Sequence, residues 1–143
     1  MGLSSMIVQA GFVAMVVRRF GERRTALAGL AFGSLGFLVY GLAPTGILFL
    51  VGVPFLSLWG LYSPAAMGLM TRRVDPADQG KLQGANSSLN GIAGMLAPLV
   101  FTSAFAAFIA PATDAELPGV PFLLAAALLA AAWFATARAT RAA

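Results

Sequence analysis

The chain has 143 residues, of which 59% are apolar and only 10% charged, and its mean hydropathy is +0.87. A soluble domain carries about 25% charge, so this composition defines an integral membrane protein. The net charge of +4 does not point to nucleic acid, because the basic residues lie in short loops between apolar stretches. Cysteine and histidine are absent, which removes disulfides, thiolate metal sites and the usual proton carrier of neutral pH.

The first apolar stretch, residues 2–17, spans about 24 Å at about 1.5 Å per residue, short of a hydrocarbon core of roughly 30 Å. It reads as a helix missing its first turn. A signal peptide is disfavoured, since the basic residues follow the apolar run instead of preceding it. Ser5, Gln9 and Phe12 share a face. Residues 18–24, RRFGERR, form a short basic turn containing Arg18, Arg19, Gly21, Arg23 and Arg24.

The second stretch, 25–43, holds Gly29-x-x-x-Gly33 and then Gly36, a small-residue face suited to close helix packing. Pro44-Thr45-Gly46 is a tight reversal. The third stretch, 47–70, carries Pro54 and Pro64, both tolerated in membrane helices. Trp59, Ser63, Ala66 and Met70 fall on one face, with Tyr62 and Met67 beside it. Such an aromatic and methionine surface suits apolar ligands of varied shape, and ordinary interhelical packing is the plain alternative.

Asp75-Pro76-Ala77-Asp78 reads as an N-cap, a proline at the first helical position and an acid at the third. The fourth helix therefore spans about 77–109, with Pro98 as the place for a kink. Within it Gln83, Asn86, Ser87 and Asn90 recur at spacings that put them on one face, while Gly84, Ser88 and Gly91 leave room on the next. Lipid cannot satisfy these side chains, so the stripe reads as the lining of a path or pocket; hydrogen bonds to a neighbouring helix are the alternative for any one residue. Residues 110–120 read as a loop with Asp114 and Glu116, and 121–137 as a last span of mostly Ala and Leu.

The expected fold is all-α: a polytopic helical bundle of five transmembrane helices. All nine Lys and Arg fall in the first loop, the third loop or the tail, which places those segments in the cytoplasm by the positive-inside rule. The first span would then start outside, with nothing ahead of it to carry it across. The expectation is that the chain is the carboxy-terminal part of a longer membrane protein, with Met1 an internal methionine or a mistaken start. No ionisable residue interrupts the apolar body of any span. That argues against a proton relay within these residues alone and against a membrane-embedded enzyme, as there is no carboxylate pair, metal cluster or nucleophilic triad. No catalytic residue, metal or cofactor is expected.

The order RRFGERR, TALAGLAFGSLGF, a proline-bearing third span and then DPADQGKLQGANSSLNGIAGMLAPLVFTSAF resembles the last five helices of major facilitator superfamily transporters. Within that superfamily it looks most like the drug/proton antiporters of the tetracycline-efflux type. Gln79-Gly80-x-Leu82-Gln83-Gly84, Ser88-Leu89, Ala97-Pro98-Leu99 and Phe101-Thr102 are similar to the family's eleventh helix. The family's basic loop motif maps its basic part onto Arg19, Gly21, Arg23 and Arg24, and the chain departs from it at Ala14 and Met15.

The resemblance implies helices eight to twelve of a twelve-helix fold, with the eighth, tenth and eleventh lining a central cavity. It implies proton-coupled export of a hydrophobic drug such as tetracycline across a bacterial inner membrane. The partners would be the substrate, protons, the bilayer and the amino-terminal half, which would hold the coupling carboxylates; this chain alone would not transport. Gln9, Gln83, Asn86, Ser87 and Asn90 would offer hydrogen bonds, and Phe12, Trp59, Tyr62, Ser63 and Met67 would complete the path. The rivals are a transporter of another small solute on the same scaffold and a freestanding five-helix protein with a structural role.

Overall fold

A computed structural model describes residues 2–109 and 119–141, with side chains for 11–107 and 119–141. The described residues form α1 (Gly2–Phe20), α2 (Glu22–Leu42), α3 (Gly46–Trp59), α4 (Tyr62–Thr71), α5 (Gln79–Ile109) and α6 (Val120–Ala139), with a 3-10 turn at Pro76–Asp78 before α5. Among them, Glu22–Leu42, Gly46–Thr71, Pro76–Ala107 and Val120–Ala139 are long and apolar enough to cross a membrane. The architecture is an all-α membrane bundle. The loop expected at 110–120 lies almost wholly outside the described residues.

The basic segment is a helix junction rather than a loop. Arg18 and Arg19 close the last turn of α1, where positive charge suits the helix dipole, and α2 opens at Glu22. Only Gly21 separates them, at φ 80°, a conformation open to glycine and strained for other residues. Its N–H donates to the Val17 carbonyl at 2.8 Å, and its own carbonyl accepts from the Thr25 hydroxyl at 2.8 Å. The helices run past the apolar stretches expected to end at residue 17 and begin at residue 25, α1 to Phe20 and α2 from Glu22, because the backbone stays helical after the side chains turn polar.

The third stretch is two helices, not one. Pro64 has no N–H to reach the Gly60 carbonyl, and Gly60 is itself a weak helix former. The chain tightens instead, with the Leu61 N–H donating to the Leu58 carbonyl at 3.1 Å, and α4 starts afresh at Tyr62. Pro54 and Pro98 are carried inside continuous helices α3 and α5. At the start of α5, Asp75 caps through its backbone carbonyl, which accepts from the Asp78 N–H at 2.8 Å; its side chain makes no cap bond.

Helix α2 is the hub of the bundle, packed on α3, α4 and α6. Glycines allow this. A Cβ built on Gly29 would lie 2.8 Å from the Tyr62 backbone nitrogen, one on Gly33 2.7 Å from Trp59 Cδ1, and one on Gly36 2.9 Å from Leu56 Cγ. On the other side the Ser34 hydroxyl donates to the Ala126 carbonyl at 2.9 Å, fastening α6. At the far end Phe37, Tyr40, Phe49 and Phe122 join the three helices, with Tyr40 and Phe49 stacked at 3.8 Å between centroids. The most deeply buried side chains are Thr25, Ala26 and Leu30 in the first half of α2, toward the basic end, and Ala65 on α4.

The basic end is closed by two polar links. Arg72 Nε lies 3.0 Å from Glu22 Oε1, joining the end of α4 to the start of α2, and Arg23 Nε donates to Thr140 Oγ1 at 2.8 Å, joining α2 to the end of α6. The Arg72 side chain is 77% exposed and that of Glu22 14%. An ion pair with one partner so exposed contributes about 0.2–1 kcal/mol. Arg72→Ala is therefore expected to shift the thermal midpoint of the purified protein by no more than a few degrees. Glu22→Ala should cost more, because it also removes the side chain packed over Gly68.

Candidate transport surface

Helix α5 stands apart from this packing. From residue 79 to residue 107 none of its residues is buried, although it is among the stretches long and apolar enough to cross a membrane. It meets α6 near Phe101, Thr102 and Phe105, which with Pro121 and Phe122 line a cavity of about 310 Å³. Elsewhere it touches α4 lightly. A Cβ added at Gly84, Gly91 or Gly94 would meet nothing within 4 Å.

The polar side chains on α5 divide by chemistry. The Ser103 hydroxyl donates to the Leu99 carbonyl at 2.6 Å, one turn back on its own helix, as the hydroxyls of Ser57 and Thr71 do on theirs. The amides of Gln83, Asn86 and Asn90 make no hydrogen bond with any described residue, nor does Ser87. Gln83, Ser87 and Asn90 are exposed and Asn86 is half-buried. One face of a helix apolar enough to cross a membrane thus presents several donors and acceptors that no described residue satisfies, and inside a bilayer each costs free energy unless water, a ligand or another chain meets it.

The rest of the expected path is not drawn to that face. Phe12, on α1, is 50% exposed, and α1 makes its main contact with α2. The backbone of Gln9 lies in α1, and its side chain is outside the described set. Trp59 rests on Gly33 and meets Phe37 edge-on at 5.7 Å, while Tyr62 seats its backbone on Gly29, so both are engaged by α2. Ser63 is exposed and Met67 half-buried on α4. Of the basic set, Arg23 is bonded to Thr140, whereas the side chains of Arg18, Arg19 and Arg24 have no hydrogen bond or ion pair among the described residues. Glu22, Arg72 and Thr140, which close the basic end, were not singled out by sequence reasoning. The one signal was a lone acid among four arginines in RRFGERR.

No family model matches the chain. Among curated proteins it is 30% identical over 106 residues to the class C tetracycline resistance protein of Escherichia coli, and 32% identical over 106 residues to the class G protein of Vibrio anguillarum. Each match covers 74% of this chain and 27% of the relative. It is also 36% identical over 101 residues to the proton-coupled folate transporter of Bos taurus, covering 71% of this chain and 21% of that protein. No solved structure matches. Fold and surface together define a polytopic helical membrane protein with one face left open. The chain belongs to the major facilitator superfamily, beside the tetracycline resistance proteins, and spans about 27% of the length of these relatives.

Proposed function

We propose that these helices are the carboxy-terminal part of a proton-coupled exporter of a hydrophobic small molecule of the tetracycline kind. The observation that carries this reading is the amide stripe of α5, which no described residue satisfies, on a helix with no buried residue from 79 to 107. In a transporter of two rocking halves, that face meets the central cavity near the bilayer midplane. Gln83, Asn86, Ser87 and Asn90 then hydrogen-bond substrate and water, while Phe12 and Gln9 on α1 and Ser63 and Met67 on α4 extend the path. Trp59 and Tyr62 contribute the edges that α2 leaves uncovered. Proton-carrying carboxylates belong to the amino-terminal half, since none interrupts the apolar spans here. The basic end, where Arg18, Arg19, Arg23 and Arg24 gather with Arg72 and the end of α6, lies in the cytoplasm of a bacterial cell. This chain, as a transport component, performs no bond-making chemistry.

A second reading, a carrier of another small solute, is favoured by the likeness to the folate transporter. Everted membrane vesicles containing the complete transporter test both. The expected result is accumulation of tetracycline, but not folate, when the vesicles are energised, and its loss when an uncoupler collapses the proton gradient. Accumulation of folate alone would establish the second reading. Accumulation of neither, with the protein present in the membrane, would overturn the exporter.

A further inference from the structure

A groove of about 280 Å³ runs between α2 and α6, away from α5, lined by Ala31, Ser34, Leu35, Ala130, Trp133 and Phe134. Its floor is closed by the Ser34 bond to the Ala126 carbonyl, so no polar group is left open there. Its walls continue toward the basic end. On α2, Arg24, Ala28, Ala31 and Leu35 are spaced by four, three and four residues, and on α6 Ala130, Phe134 and Arg138 by four and four, so each set follows one helix face; Arg141 lies in the turn just past the end of α6. Arg138 lies about 6 Å beyond Phe134 along the axis, and Arg24 about 10 Å beyond Ala31.

These arginines are free to bind. Arg24, Arg138 and Arg141 are exposed, and none of their guanidinium groups has an ion pair or hydrogen bond among the described residues. Glu22, the acid closest to Arg24 in sequence, is taken by Arg72. Neighbouring Arg23 is held by Thr140, which keeps the two helix ends together. We propose that the α2/α6 groove binds an anionic phospholipid, one acyl chain lying against Trp133 and Phe134 and the headgroup phosphate meeting Arg24, Arg138 and Arg141. An apolar groove is followed toward the basic end by arginines with no partner among the described residues, and an amphiphile with an anionic head satisfies both parts. Guanidinium groups suit phosphate oxygens geometrically as well as by charge. The inference rests on the proposed transporter reading, in which the second and last spans, α2 and α6, correspond to the ninth and twelfth helices, outside the central cavity, and turn this groove toward lipid.

Trp133 is the reporter. The complete transporter is reconstituted in phosphatidylcholine bilayers containing either brominated phosphatidylglycerol or brominated phosphatidylcholine, and the Trp133 signal is taken as the difference between the parent and Trp133→Phe. The expected result is half-maximal quenching at an about fivefold lower mole fraction of the brominated phosphatidylglycerol, as one engaged arginine suffices to produce. The triple variant R24Q/R138Q/R141Q loses that preference while its quenching by brominated phosphatidylcholine stays unchanged, which also shows that it is folded. Equal quenching of the parent by the two lipids would overturn the site and leave the transporter reading standing, whether or not the variant can be made. A preference that survives the triple substitution would overturn it too. If neither lipid quenches Trp133, the groove faces protein, and the peripheral placement of α2 and α6 falls with it.

Discussion

Gly29→Leu is expected to prevent α2 from docking on α4 and to remove most of the folded protein recovered in detergent. Even the first atom of the new side chain would stand 2.8 Å from the Tyr62 backbone nitrogen, and Tyr62 opens α4, so the helix itself must move. Overpacking a well-packed contact costs typically about 1–3 kcal/mol, shifts of side chain and backbone included, and a clash with a helix backbone belongs at the upper end of that range. Gly33→Leu should be milder, because the atom it meets at 2.7 Å belongs to the Trp59 indole, which has an exposed side toward which it can turn. Gly84→Leu meets no described atom and should leave the α2, α3 and α4 packing intact. Size-exclusion profiles and thermal midpoints of the three variants test the order, Gly29 worst, then Gly33, then Gly84. Equal recovery of Gly29→Leu and Gly84→Leu would show that the small-residue face of α2 does not organise the bundle.

Those glycines also mark how far the sequence alone reaches. The all-α membrane fold was legible because lipid leaves few alternatives: long apolar runs separated by charge must be helices. The family likeness was legible in the residues that open and fill α5. Contacts decided by three-dimensional approach were not. Gly29-x-x-x-Gly33 announces that something comes close without saying what, and the structure supplies Tyr62 and Trp59, residues whose aromatic character alone suggested a ligand surface. The break at Gly60 and Leu61 was not legible from its residues: Pro64 follows Gly60 by four, yet Pro98 follows Gly94 by the same spacing inside an unbroken α5, and Pro54 is absorbed as well. Glu22 and Arg72 are separated by two membrane crossings in the chain, and only the antiparallel return of α3 and α4 brings them to 3.0 Å. For α5 the sequence gives the spacing of the amides, and the structure adds that no described residue satisfies them.

That last fact sets up an outcome that separates transport from packing. Replacing Gln83, Asn86 and Asn90 together by Leu is expected to cut efflux by the complete transporter by about 10-fold or more, with folded protein recovered at least as well as the parent. Each amide that bonds substrate or ordered water in the cavity is worth about 0.5–1.5 kcal/mol, and three of them exceed the roughly 1.4 kcal/mol that makes a factor of ten. The folded state loses nothing among the described residues, because none of them bonds these side chains, and exchanging amide for hydrocarbon removes a desolvation cost in the bilayer. If the amides instead glued α5 to another helix, recovery and transport would fall together, since a lost interhelical bond acts on assembly first. Ser87→Ala serves as the small perturbation on the same face, with an expected loss of a few-fold. Transport measured per folded molecule is the deciding quantity. A triple variant that folds and exports like the parent would remove α5 from the substrate path, and with it the observation on which the exporter reading stands.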